Sequence, residues 1–145
     1  MAPIPPTSAR ILAVDDDEAN LRVLRRLLLR AGFPDVATTS DPTAVQALVA
    51  EMQPDLLLLD LNMPEMDGLT VLRRMRAAFG PDLPRVIVLS GECPDASVPL
   101  VLGAGAQAFV SKPFDADDLV GRVREVLARD AAPQPAAEGQ PRSRR

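Results

Sequence analysis

Four segments that are predicted to be buried strands each end in polar side chains that could take part in chemistry. These polar groups are a carboxylate pair, a further carboxylate, a hydroxyl and an ammonium, carried by Asp15 and Asp16, Asp60, Ser90 and Lys112. In open parallel sheets, ligands bind beyond the carboxyl ends of the strands. Carboxylates bind hard cations, and an ammonium and a hydroxyl can hold phosphate oxygens. The sequence therefore predicts a site for a divalent cation and a phosphoryl group.

Asp60 closes the apolar run that follows Asp55, which places a carboxylate where a buried segment meets a turn. A carboxylate that attacks phosphorus repels the oxygens of the incoming phosphoryl group. Mg²⁺ (or Mn²⁺), held by carboxylates and a backbone carbonyl, cancels that repulsion. The residue types thus favour an aspartyl-phosphate formed with the help of a metal ion.

Apolar periodicity predicts five strands that alternate with five helices, a pattern typical of an α/β fold with a parallel sheet and right-handed crossovers. The strands are predicted at residues 10–15, 35–39, 55–60, 85–90 and 107–111, and the helices at 18–31, 42–52, 68–79, 97–105 and 115–129. A flavodoxin-like doubly wound sheet of order 2-1-3-4-5 fits this pattern. Its crevice opens between strands one and three, which brings Asp15, Asp16 and Asp60 together.

The ends of the chain are expected to lie outside the folded domain, which we place at residues 10–129. Residues 1–9 are rich in proline and are predicted to be a disordered extension, and residues 130–145 are predicted to be a disordered tail or the start of a linker. Inside the domain, Pro99 is expected to delay the fourth helix, with Ser97 as its N-cap. The apolar stretch that follows, residues 100–104, is either unusually well buried or a partner-binding face.

Composition excludes several classes of function. The formal net charge of -4 gives no reason to expect direct nucleic-acid binding, and the chain has no histidine and a single cysteine. The absence of histidine excludes a His-based hydrolase, a His-ligated zinc site and a phosphohistidine donor. Cys93 allows no internal disulfide, and no stretch of the sequence is apolar enough to predict a membrane span or signal peptide. A cytoplasmic location is therefore expected.

Two other uses of the acidic residues fit less well. An EF-hand loop starting at Asp60 would need an oxygen ligand and a glycine where Pro64 and Glu65 stand. A haloacid-dehalogenase-like phosphatase also uses an aspartyl-phosphate, a hydroxyl and a lysine. Such phosphatases have Asp-x-Asp at the nucleophile, whereas Asn62 stands at the second position here, and the acidic cluster precedes Asp60 rather than following it.

Over roughly residues 10–129 the chain resembles a response-regulator receiver domain. The stretches that carry the resemblance are residues 11–17, 60–68, 88–92 and 109–114. The resemblance implies that a partner histidine kinase or a histidine phosphotransfer protein phosphorylates Asp60. The chain would then assist its own phosphorylation and dephosphorylation without being an enzyme on other substrates, as a monomer or as a phosphorylation-dependent homodimer.

The same resemblance implies a role for each residue of the metal and phosphoryl site. Asp15 and Asp16 would hold Mg²⁺ together with Asp60 and the backbone carbonyl of Asn62. Lys112 would bind the phosphoryl group.

It also implies a switch and its surroundings. Ser90 would hydrogen-bond the phosphoryl group, and Phe109 would turn inward on phosphorylation. Pro113 resembles the residue of a cis Lys–Pro bond that aims Lys112. Asn62 and Glu92, which flank the site, match single-domain chemotaxis regulators most closely, which implies that water can reach the phosphoryl group.

Two functions remain open from the sequence. In the first, a stand-alone receiver switches a protein-interaction surface for an output partner whose identity the sequence does not give. In the second, the chain is the N-terminal receiver fragment of a larger effector, such as a DNA-binding protein or a cyclic-dinucleotide enzyme. We expect the first, because the sequence ends soon after the polar stretch that follows Arg129.

Overall fold

Within residues 4–61, 68–91 and 94–129, which this computed structural model describes, five strands alternate with five α-helices. The strands are β1 (Arg10–Val14), β2 (Asp35–Thr39), β3 (Leu56–Asp60), β4 (Arg85–Ser90) and β5 (Ala108–Ser111). The helices are α1 (Glu18–Arg30), α2 (Val45–Met52), α3 (Gly68–Phe79), α4 (Pro94–Gly103) and α5 (Ala116–Leu127). All strand pairs are parallel and the order is β2-β1-β3-β4-β5, which confirms the predicted doubly wound sheet.

Both faces of the sheet are covered by helices. Ile11, Leu58 and Ile87 lie in the core shared with α1 and α5. Leu57 and Val88 lie in the core on the other face, shared with α2, α3 and α4. Because a strand covered on both faces needs apolar side chains at every position, β3 is a continuous run of leucines that ends at the buried Asp60.

The link from β1 to α1 is fixed by a helix cap. The side chain of Asp17 accepts a hydrogen bond from the backbone N–H of Ala19 at 2.9 Å, which satisfies one of the unpaired donors of the first turn. The helix ends at Arg30, and Gly32 adopts a φ of 101°, a conformation that glycine takes readily. The cap holds the start of α1 directly after Asp15 and Asp16.

Helix α4 begins earlier than the sequence predicts. It starts at Pro94, so the prediction that Ser97 caps a later helix was wrong. A proline suits the first turn of a helix, where its missing N–H has no partner to lose. Pro99 lies inside the helix and removes one internal hydrogen bond, but burial of Val101 and Ala104 holds the helix against the sheet.

The N-terminal segment, which is predicted to be a disordered extension over residues 1–9, contacts the domain from residue 4 onward. The backbone N–H of Ile4 donates to the carbonyl of Leu127 at 2.8 Å, and a short 3₁₀ turn spans Pro6–Ser8 before the buried Ala9. Ile4 also packs against the core shared by α1 and α5. The segment thus covers the end of α5. Residues 1–3 and 130–145 lie outside the described residues.

A buried polar cluster lies at the opposite edge of the sheet from Asp60. The Arg85 guanidinium donates to the carbonyl of Arg129 at 2.9 Å, and the Arg129 guanidinium donates to the carbonyl of Gln107 at 3.2 Å. Burial lowers the pKa of Arg85; the nearby Asp55 carboxylate opposes this effect, and Arg129 adds to it. These contacts fix the chain beyond α5 to the starts of β4 and β5.

Within the described residues, no helix combines the length and the apolar character that a membrane crossing requires.

Candidate functional site

The carboxyl edge of the sheet brings together the acidic residues that the sequence singles out. Asp15 and Asp16 directly follow β1, and Asp60 is the last residue of β3, the neighbouring strand. One carboxylate oxygen from each of the three residues lies within 4.8 Å of the others. Asp15 and Asp60 are only 1% and 3% exposed, whereas Asp16 is exposed to solvent.

Lys112 supplies a positive charge to this cluster. Its Nζ lies 3.3 Å from Asp15 Oδ2 and 3.3 Å from Asp60 Oδ1. An ammonium between two buried carboxylates offsets part of the free energy that their desolvation costs. The lysine reaches this position because it directly follows β5, at the same edge of the sheet.

The charges of the cluster do not balance. Among the residues that the structure describes, three carboxylates face one ammonium, which leaves an excess of two negative charges. A divalent cation would cancel that excess, and carboxylate oxygens are the ligands that Mg²⁺ prefers. The donor set therefore fits Mg²⁺, with Asp15, Asp16 and Asp60 as the residues that would hold it.

The buried Asp15 carboxylate is held in place by its neighbours along the chain. Its Oδ1 accepts from the backbone N–H of Asp17 at 2.9 Å, and its Oδ2 accepts from the side-chain amide of Asn20 at 3.4 Å. Asp17 therefore orders the turn and caps α1. Neither contact was predicted from the sequence, although an Asp-Asp-Asp run directly before a helix is the kind of pattern in which one residue serves as the cap.

Ser90 lies in the buried end of β4, beside the end of β5. It is 1% exposed and pairs in register with Ser111, and its carbonyl accepts from the backbone N–H of Lys112 at 2.8 Å. The position that a Cβ would take at Gly91 lies 3.6 Å from the Cβ of Lys112. The two strand ends are thus tied together where the hydroxyl and the ammonium leave the sheet.

Phe109 and Pro113 lie on either side of Lys112 in sequence. Phe109 is half-buried, pairs in register with Val88 and packs against the core shared with α2, α3 and α4. The Lys112–Pro113 peptide bond is cis, as the resemblance implied.

Gly68 is a residue of the site that the sequence reasoning did not identify. Its N–H donates to the carbonyl of Leu61 at 2.8 Å, so α3 begins against the end of β3. A Cβ at this position would lie 2.5 Å from the carbonyl oxygen of Asp60 and 2.7 Å from the Cα of Leu61. Only a residue without a side chain fits there, and a glycine at the start of an otherwise regular helix was the signal for it.

A cavity of about 270 Å³ opens next to the cluster, between α1 and the residues after β5. Asp15 and Lys112 form its polar side, and Val23 and Phe114 are among its apolar lining residues. Asn62 and Glu92, the two flanking residues that the sequence singles out, lie outside the described residues.

Comparison with known proteins gives a consistent result. Residues 11–124 match the response regulator receiver domain family. The response regulator MprA of Mycobacterium leprae is 41% identical over 129 residues, which cover 89% of this chain and 55% of MprA. The DNA-binding response regulator MtrA of Mycobacterium tuberculosis is 40% identical over 121 residues, which cover 83% of this chain and 51% of MtrA. The chain thus spans about half the length of the curated relatives it matches.

Solved structures show the same similarity. The CheY-like response regulator receiver domain protein from Methanospirillum hungatei superposes with a TM-score of 0.74 at 28% identity, covering 82% of this chain and 93% of that chain.

Proposed function

Because this chain belongs to the response regulator receiver domain family, we propose that it is the phosphoacceptor of a two-component system and that Asp60 takes the phosphoryl group. The donor is a histidine kinase or a histidine phosphotransfer protein. The observation that carries this proposal is the position of Asp60, buried at a strand end between the Lys112 ammonium and two further carboxylates. Family membership removes the support for a phosphatase of the haloacid-dehalogenase type.

The transfer is a substitution at phosphorus. A carboxylate oxygen of Asp60 attacks the phosphorus of the donor, a new P–O bond forms, and the bond from phosphorus to the donor breaks. The electron pair of the broken bond leaves with the donor nitrogen, or with the donor oxygen when acetyl phosphate replaces the kinase. The Lys112 ammonium, which is paired with the Asp60 carboxylate before the reaction, neutralises part of the negative charge on the phosphoryl oxygens.

Asp15, Asp16 and Asp60, with the Asn62 carbonyl, are the groups that we propose to hold Mg²⁺. When bound, the ion reduces the repulsion between the attacking carboxylate and the phosphoryl oxygens. Asn20 and the backbone N–H of Asp17 keep the Asp15 carboxylate oriented toward the cluster.

Ser90 and Phe109 form the proposed switch. The Ser90 hydroxyl would hydrogen-bond a phosphoryl oxygen, and Phe109, which is half-buried and in register with Val88 of β4, would turn inward. Support comes from their placement, because both strands that carry them end at the site and Lys112 links those ends. Access of water to the phosphoryl group past Asn62 and Glu92 stays a prediction.

The metal assignment predicts that Asp16→Ala weakens Mg²⁺ binding by at least about tenfold, because it deletes one of few hard oxygen ligands. Phosphorylation by acetyl phosphate should slow in parallel. Isothermal titration calorimetry measures the binding, and intact mass follows the phosphorylation. Without Mg²⁺ the variant should also unfold at higher urea concentration, because fewer carboxylates repel one another.

Asp17→Ala is the matched control for this experiment. It removes the same charge from the neighbouring residue, but Asp17 caps α1 and is not in the cluster. We expect it to lower the free energy of unfolding by about 1 kcal/mol while Mg²⁺ affinity stays close to that of the wild type. Equal losses of Mg²⁺ affinity in the two variants would contradict the ligand assignment.

Lys112→Met should affect metal binding in the opposite direction. Removing the ammonium leaves Asp15 and Asp60 buried without its charge, so the free energy of unfolding should fall by about 1–3 kcal/mol in the absence of Mg²⁺. Mg²⁺ should bind the variant more tightly, because no cation competes for the carboxylates. Calorimetry and urea titrations with and without Mg²⁺ measure both effects. Weaker Mg²⁺ binding in this variant would show that Lys112 does not face the metal site.

A larger effector remains the second candidate, and one observation favours it. The curated relatives are about twice as long as the matched region, and the name of MtrA describes it as DNA-binding. In that case the same phosphorylation would regulate a further domain rather than a separate output protein. Both candidates share the site at Asp60.

A further inference from the structure

We propose that the groove between α3 and α4 is a docking site for an acidic, amphipathic segment of an output partner, with an affinity that depends on the phosphorylation of Asp60. This inference rests on the proposed function and names the surface through which it would act. The groove has a volume of about 540 Å³. It lies outside the cluster of carboxylates described above.

The floor of the groove is apolar and open to solvent. Ala77 of α3, Pro99 and Leu100 of α4, and Ala104, which directly follows α4, line it. Leu100 is 51% exposed, although burying a leucine side chain stabilises a protein by about 2 kcal/mol. Part of the apolar stretch of α4 is thus left uncovered, which favours a partner-binding face.

The charge of the groove identifies the kind of partner. Arg73 and Arg76 line its α3 side, and no carboxylate is among the described lining residues. The chain as a whole has a formal net charge of -4, so this basic groove differs from the average surface. Arg73 makes no hydrogen bond or ion pair with the part of the chain that the structure describes. A segment with carboxylates beside apolar side chains complements both features.

Arg76 fixes the spacing of the groove. Its Nη1 donates to the carbonyl of Gly103, near the end of α4, at 3.1 Å. A Cβ at Gly105 would lie 3.7 Å from its Cδ, so the aliphatic part of Arg76 packs over this glycine. Arg76 therefore links α3 to the end of α4, and Arg73 is the guanidinium available to a partner.

Both walls of the groove follow strands of the phosphorylation site. Helix α3 begins at Gly68, which packs against the backbone of Asp60, and α4 follows β4, which ends at Ser90. A shift of either strand end changes the position of a wall. Binding in the groove is therefore coupled to the state of Asp60, and the coupling acts in both directions.

The test uses the full chain, with and without acetyl phosphate and Mg²⁺, and random linear peptides displayed for selection. Selected peptides should be rich in Asp and Glu next to Leu, Ile or Phe. By fluorescence anisotropy, Arg73→Glu should weaken their binding by at least about tenfold, because it places like charges together. Arg74→Glu is the matched control, since it reverses the charge of the neighbouring residue on the same helix. Arg74 lines a different cavity, so this variant should bind the peptides with an affinity within about twofold of the wild type.

Each result decides the proposal. Peptides that bind Arg73→Glu as tightly as Arg74→Glu, or a selection that yields no Arg73-dependent peptide, would overturn the docking site. Equal affinity for the phosphorylated and unphosphorylated chain would overturn the coupling. Intact mass of the same samples reports phosphorylation separately, so a chain that takes up no phosphoryl group refutes the proposed function and leaves the dependence on Arg73 still measurable.

Discussion

An Asp60→Asn variant is expected to take up no phosphoryl group from acetyl phosphate in the presence of Mg²⁺. The amide group of asparagine carries no negative charge, so the nucleophile is lost. The cluster formed by Asp15, Asp16 and Asp60 also loses one of its three carboxylates. The wild-type chain should gain the mass of one phosphoryl group under the same conditions. Intact-mass spectrometry at several time points measures both.

Asp55→Asn provides the control, because Asp55 directly precedes the same strand at its opposite end. Its carboxylate accepts a hydrogen bond from the backbone N–H of Arg10 at 2.9 Å. The whole length of β3 separates it from the site at Asp60. This variant should be phosphorylated at the wild-type rate. If the Asp60→Asn variant still gained the mass of one phosphoryl group, a residue other than Asp60 would be the phosphoacceptor.

Gly68→Ala is expected to lower the free energy of unfolding by about 3 kcal/mol. The new Cβ would lie 2.5 Å from the carbonyl oxygen of Asp60, and that atom belongs to the backbone and cannot rotate away. Either α3 or the end of β3 must shift. The shift should also slow phosphorylation, since it moves the residue that carries the nucleophile. Urea denaturation and intact mass measure the two effects.

Gly121→Ala tests the same substitution where space is available. Gly121 is exposed in α5, and a Cβ there would meet no atom within 4 Å. Alanine has the higher helix propensity, so this variant should gain up to about 1 kcal/mol of stability. If the two variants were equally stable, the close approach of Gly68 to Asp60 would not limit the packing of α3.

Much of the fold could be predicted because strand-like and helix-like apolar patterns alternate regularly along the chain. The run before Asp60 favours a strand covered on both faces, and α3 begins and ends at the predicted residues 68 and 79. Parallel strands joined by helices also have few possible arrangements. The convergence of Asp15, Asp16 and Asp60 follows from strand order alone.

Other features depend on contacts that a local pattern does not contain. Helix α4 begins before the predicted start because the burial of Val101, which holds the helix to the sheet, offsets the local effect of Pro99. Likewise, the local pattern of residues 1–9 does not show that the backbone N–H of Ile4 donates to the carbonyl of Leu127 at the end of α5. Both features depend on tertiary contacts that offset weak local preferences.

The site shows the same limit at the level of single residues. The sequence predicts which side chains meet, but it does not give the equal 3.3 Å separations of the Lys112 ammonium from Asp15 and Asp60. Nor does it show that α3 approaches the backbone of Asp60 closely enough to require glycine at residue 68.

The most direct test of the central claim is to locate the phosphoryl group chemically. Wild-type chain treated with acetyl phosphate and Mg²⁺ is reduced with borohydride, which converts an aspartyl-phosphate into homoserine, and the peptides are sequenced by tandem mass spectrometry. We expect homoserine at residue 60 alone, and none when EDTA removes the metal. Homoserine at residue 15 or 16, or equal conversion of residue 60 without metal, would contradict a Mg²⁺-dependent phosphoacceptor at Asp60.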